Sequence, residues 1–251
     1  MSLLITTDIS TTAWVLAFTA VFVMGVSKSG LKGISIIVVT LMALAFGTKA
    51  STGLLVPLLV IGDIFAVIYY SKHTQWKYII KFLPWMITGI LIGVIVGKDL
   101  PEATFKYCMG AIILLTVIMM LWWDQKKSKN VPTHWAFAGS MGLLAGITTM
   151  IGNLAGSFSN IYFLAMRLPK KQFIGTAAWL FLITNIFKLP FHFFVWKTIT
   201  TDTLLLNLKL LPGIFIGFIA GTFLVKHIKD KYYRKMILIL TAIGALLILV
   251  R

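Results

Sequence analysis

Asp63 stands in the middle of an apolar run, GLLVPLLVIGDIFAVIYY, where a charge is costly unless it faces a cavity or a partner. A carboxyl group in such surroundings can gain and lose a proton, which suits it to couple an ion gradient to the movement of another solute. A salt bridge would instead fix its charge and make both partners structural. The second half of the chain supplies the candidates: FLITNIFKLPFHFF carries Asn185, Lys188 and, one turn on, His192. Lys188 could pair with Asp63 or snorkel to an interface. A histidine among phenylalanines could relay protons, or simply be packed and hydrogen-bonded.

Two glycine-rich stretches carry the other chemistry. GVSKSGLKG, residues 25–33, holds Lys28, Ser29, Gly30, Lys32 and Gly33; GNLAGSFSN, residues 152–160, holds Gly152, Asn153, Gly156, Ser157 and Asn160. Glycines let a helix unwind, and the free N–H groups at the start of the next helix attract an anion, more so beside an ammonium. Two such loops meeting would make an anion cradle, with Asn185 and Lys188 as further donors. The alternative is that the lysines anchor the chain at the headgroups and the glycines permit close helix packing. A phosphate loop does not fit, because Leu31 follows Gly30 where the lysine is required.

Little else could support catalysis. With one cysteine, four histidines and one glutamate, Glu102, the chain offers neither a nucleophile with its base nor a cluster of metal ligands. No cofactor and no metal are expected. A membrane-embedded enzyme acting on lipid or quinone is therefore the weaker of two alternatives to a transporter. The other is a non-transporting membrane assembly subunit.

These residues need elements to position them, and composition names the kind. Of 251 residues 59% are hydrophobic and 12% charged, with a mean hydropathy of +0.95, too few charges to cover a soluble globule. An all-α polytopic membrane protein follows. The net charge of +16 does not imply nucleic acid, since most lysines fall in short gaps between apolar runs instead of forming one continuous polar face. The partners expected are a lipid bilayer and a small anion, a homo-oligomer being left open.

Ten apolar segments can be read, at 12–26, 34–47, 53–71, 78–97, 103–123, 134–151, 154–166, 172–196, 203–225 and 233–250. Eight are long enough to cross a bilayer; the second and seventh are short, glycine-led, and either cross or re-enter. The first lacks a positive flank and should be retained in the mature chain. Lys and Arg concentrate in every second gap, which puts those gaps in the cytoplasm and both termini outside, as expected for a multi-pass protein of the cell (inner) membrane. Trp122, Trp123, Trp135 and Trp196 fall at segment ends, as in an aromatic belt.

The chain divides into residues 1–125, a charged cytoplasmic linker at 126–133 and residues 134–251, and its halves resemble each other. Pro84, Gly89 and Gly93 align with Pro212, Gly217 and Gly221 at a constant offset; Lys49, Gly53 and Asp63 align with Lys171, Gly175 and Asn185 at another. Five segments per half would place the copies upside down to each other, an arrangement known in secondary transporters with broken helices at the site.

Together KSGLKG, KASTGLLVPLLVIGDIFAVIYY and RLPKKQFIGTAAWLFLITNIFKLPFH resemble the TauE/SafE sulfite exporter family of membrane permeases, over about residues 15–250. The resemblance implies an ATP-independent transporter of small sulfur-containing or organic anions, coupled to an ion gradient. Leu31 and Lys32 interrupt the glycine run usual in the family's first loop, and Thr40 stands where a proline is common.

Overall fold

Away from water a backbone can satisfy its polar groups within one segment only as a helix, and every regular element among the described residues is helical. The computed structural model describes residues 9–105 and 134–229, with scattered positions between 107 and 118 and between 232 and 239. The linker at 126–133, Trp122 and Trp123, and most of the segments expected at 103–123 and 233–250 lie outside the described residues.

The helices are α1 (Thr11–Lys28), α2 (Ser35–Phe46), α3 (Thr48–Tyr70), α4 (Trp76–Lys98), α5 (Trp135–Gly152), α6 (Ala155–Ala165), α7 (Lys170–Pro190) and α8 (Thr201–His227). Six of them are long and apolar enough to cross a membrane, so the chain is a multi-pass integral membrane protein. The exceptions are α2, with 12 residues, and α6, with 11. At 1.5 Å per residue each spans about 17–18 Å, roughly half a bilayer core. Left-handed or positive-φ backbone brackets both: Gly33 (φ 104) and Gly47 (φ 86) flank α2, while Asn153 (φ 55) and Arg167 (φ 53) flank α6.

Helix pairs are chosen by small residues. In lipid there is no hydrophobic drive between helices, so association depends on close van der Waals approach. A methyl group on Gly89 would lie 2.3 Å from the carbonyl oxygen of Leu143, and one on Gly146 would lie 2.1 Å from that of Met86. The same contact recurs between Gly25 and the backbone of Ile214 to Phe218, and between Gly217 and Phe22. Thus α4 packs on α5 and α8 on α1, each pair running in the same direction. The fourth helix of each half lies on the first helix of the other.

Between these pairs, α3 and α7 cross in opposite directions: Asp63 meets Asn185, while the backbone of Tyr70 closes on Gly175. Lys49 Nζ donates to the carbonyls of Lys98 and Leu100 at the end of α4, and Lys170 Nζ to those of Val225 and Ile228 at the end of α8, where the helix dipole favours a cation. Trp196 differs from a belt residue. It is buried over Gly97 and its indole N–H donates to the Val94 carbonyl, whereas Trp135 is exposed.

Gly146→Ala and Gly217→Ala should each lower the melting temperature in detergent, because the new methyl meets backbone that cannot yield. Gly139→Ala meets only the Trp85 ring at 3.4 Å and should be tolerated. Equal melting temperatures for all three would contradict this packing.

Candidate functional site

Helix α1 stops at Lys28 because Gly30 (φ 128) and Gly33 (φ 104) take backbone that a side chain would strain. The turn between them is pinned by tyrosines: Tyr70 donates to the Ser29 carbonyl at 2.7 Å and Tyr233 to the Gly30 carbonyl. The second loop ends α5 with Asn153 in the left-handed conformation, an ordinary helix stop. Both loops lead into a short helix whose N-terminus has no side-chain cap.

The two loops meet. A methyl on Gly156 would lie 3.4 Å from Ser35 Oγ, and a cavity of about 50 Å³ opens between the starts of α2 and α6, several times the ~10–15 Å³ one water needs. Its polar lining includes Lys28, Lys32, Thr149, Asn153, Asn160 and Asn185, and its apolar lining includes Met24, Leu55 and Phe181. Gly33, Ser35, Ala155 and Gly156 bring the first turns of both short helices to its edge, so two positive dipole ends are directed at one space.

Charges around this space do not balance. Among the described residues, the buried charged side chains include three lysines, Lys28, Lys32 and Lys188, and one carboxylate, Asp63. Lys28 Nζ lies 2.6 Å from Asp63 Oδ1, and Asn185 Nδ2 donates to Asp63 Oδ2 at 2.7 Å. Lys188 does not reach Asp63 but donates to the Thr149 carbonyl and hydroxyl and, at 2.7 Å, to Asn153 Oδ1. Asn153 in turn donates to the Thr52 carbonyl. Lys32, 4% exposed, makes no hydrogen bond among the described residues; its contact is the face of Phe181, 5.3 Å away, which also lies 5.5 Å from Lys28.

The residues named from sequence thus separate into layers. Lys28, Lys32, Gly33, Asn153, Gly156 and Asn185 line the cavity. Asp63 and Lys188 stand behind it and hold lining residues in place. Ser29 and Gly30 are buried outside the lining, Ser29 against Gly221 and Gly30 against Ile174; Gly152 is at the end of α5. The side chain of Ser157 lies outside what the structure describes. His192 is buried at the start of a π-turn, residues Phe191–Val195, with Nδ1 2.9 Å from Thr198 Oγ1.

The structure chooses between alternatives that the sequence left open: Lys28 and Lys32 are buried in the protein, and the partner of Asp63 is Lys28, not Lys188. Ser27, Ser35, Thr149 and Phe181 also line the cavity and were not picked out from sequence. Ser27 lies within the first glycine-rich stretch, Ser35 just beyond it, and Thr149 just before the second, so position in or beside the loops was the available signal; Phe181 gave none.

A cavity with several polar side chains, set between two short helices of a multi-pass membrane protein, resembles the broken-helix layout of secondary-transporter sites. Residues 16–248 match the family described as Sulfite exporter TauE/SafE, and the chain belongs to that family. Neither a curated protein nor a solved structure matches it.

Lys28→Met should cost about 3–5 kcal/mol, the usual penalty for leaving a buried partner charged and alone. Adding Asp63→Asn to it should restore part of that loss in thermal unfolding. A double variant no more stable than Lys28→Met would argue against the ion pair.

Proposed function

We propose that the chain is a secondary transporter, working as an exporter, of a small anion: sulfite, a sulfonate, or a related sulfur-containing or organic anion. The observation that carries this reading is the surplus of buried basic groups, three lysines against one carboxylate, lining the cavity or directly behind it. An uncompensated buried charge costs several kcal/mol, and a bound anion relieves it. Two uncapped helix N-termini at the same cavity add to the attraction. The substrate-binding set is Lys28, Lys32, Gly33, Asn153, Gly156 and Asn185, with Ser29, Gly30, Gly152, Ser157 and Lys188 shaping or supporting the two loops, and Asp63 couples movement to an ion gradient.

In this reading the two halves are inverted repeats and the anion sits at their interface. The reciprocal packing of α4 on α5 and α8 on α1, and the opposed directions of α3 and α7, support it. The protein resides in the cell (inner) membrane with its termini outside.

Thermal stability of the purified protein against sulfite, sulfate, thiosulfate, taurine, sulfoacetate, acetate and chloride tests this. One sulfur oxyanion or sulfonate should stand out, since a ligand at a hundred times its Kd stabilises by about 2.7 kcal/mol. Lys32→Gln should raise the melting temperature without anion, because a lone buried charge is gone, and weaken anion binding about tenfold or more, ~1.4 kcal/mol. No response to any of these anions would sink the proposal.

A further inference from the structure

A second cavity, of about 390 Å³, opens where α3 and α8 finish and α7 begins, within the ~300–1,000 Å³ usual for small-molecule sites. Its floor is fixed: Tyr70, Ile174 and Val225 are buried, Tyr70 donates to the Ser29 carbonyl, and Ile174 and Val225 close on Gly30. The rim is basic. Lys171 and Lys226 are exposed there, with neither a hydrogen bond nor an ion pair among the described residues, and His73 and Lys170 stand half-buried beside them.

No carboxylate lines this cavity. Among the described residues Asp63 is paired with Lys28, and Asp99, Glu102 and Asp202 lie at the opposite end of the helices, where α4 finishes and α8 begins. The stretch KHIKDKYYRK, residues 226–235, adds one acid, Asp230, among five lysines and arginines. The carbonyls at the end of α8, which would repel an anion, are covered by Lys170 Nζ. Helix α7 starts at Lys170 without a side-chain cap and leaves free N–H groups beside them.

We propose that this cavity holds the phosphate headgroup of an anionic phospholipid. A tail is what separates a lipid from a free phosphate, and the surface next to the rim is apolar. Ile68 and Tyr69 of α3 and Ile219 and Phe223 of α8 are exposed, and the two helices lie side by side there, with the rings of Tyr69 and Phe218 6.3 Å apart. A basic pocket between membrane helices is the kind of site that takes an anionic headgroup while the acyl chains stay in the bilayer. The first glycine loop separates this cavity from the anion cavity: Lys32 and Gly33 line the one, and Gly30 backs on to the floor of the other. A lipid bound here steadies that loop from behind.

The test titrates the whole chain in neutral detergent with dioleoylphosphatidylglycerol, with dioleoylphosphatidylcholine, and with two tail-less probes, glycerol phosphate and inorganic phosphate, while the melting temperature is followed. Phosphatidylglycerol should stabilise the protein well beyond the other three. In Lys171→Gln/Lys226→Gln its affinity should fall about thirtyfold, the loss expected of two lysines facing an anionic lipid. Both side chains are exposed, so this variant keeps the packed helices. Lys72→Gln/Lys77→Gln removes as much charge from the same end, outside the cavity, and should leave the titration nearly unchanged. An equal effect of the two lipids, or an equal loss in both double variants, would overturn the proposal in favour of diffuse surface charge. A tail-less phosphate that binds as tightly as phosphatidylglycerol, and loses that binding in Lys171→Gln/Lys226→Gln, would make the occupant a free phosphate and overturn the lipid assignment.

Discussion

The three-way contact of Lys28, Asp63 and Asn185 joins α1, α3 and α7 at one point, and the rest of the centre is arranged around it. A carboxylate can be kept in such a place only if its lone pairs are occupied and its charge is met. Meeting the charge from α1 requires that helix to end beside α3, which Gly30 and Gly33 bring about by turning the chain. The turn then delivers Lys32 into the same space with no hydrogen-bond acceptor among the described residues. One compensated charge thus brings an uncompensated one with it, and the proposed anion site rests on that imbalance.

A second lysine is held differently. Lys188 is surrounded by neutral oxygens, two from Thr149 and one from Asn153, so its charge is solvated by dipoles and not cancelled. In the first half of the chain a loop lysine reaches a carboxylate on the long helix; in the second a lysine on the long helix reaches an amide in the loop. Both pairs are 35 residues apart.

Much of this was legible in the chain before its structure. Apolar runs broken at charges gave the helices, and the aligned glycines marked the backbone contacts of α4 and α8, because only a missing side chain permits that approach in lipid. The alignment of Asp63 with Asn185 pointed at a pair that is in fact hydrogen-bonded. What could not be read was which cation Asp63 takes. Lys28 looked like a loop lysine, since burial depends on how far α1 runs before the glycines turn it, and periodicity cannot measure depth. Trp196 misled for the same reason: its place at a segment end says nothing of Gly97 making room for its ring. Phe181, set under two ammonium groups, was one aromatic among many.

The backbone on either side of the short helices has a mechanical consequence. The long helices are locked to one another main chain against main chain, and such contacts resist shear. Helices α2 and α6, by contrast, are rigid rods of three turns with a left-handed or positive-φ residue as an articulation at each end. Stiff beams with two jointed links bend at the links before the beams, and the first turns of these two links form the edge of the cavity.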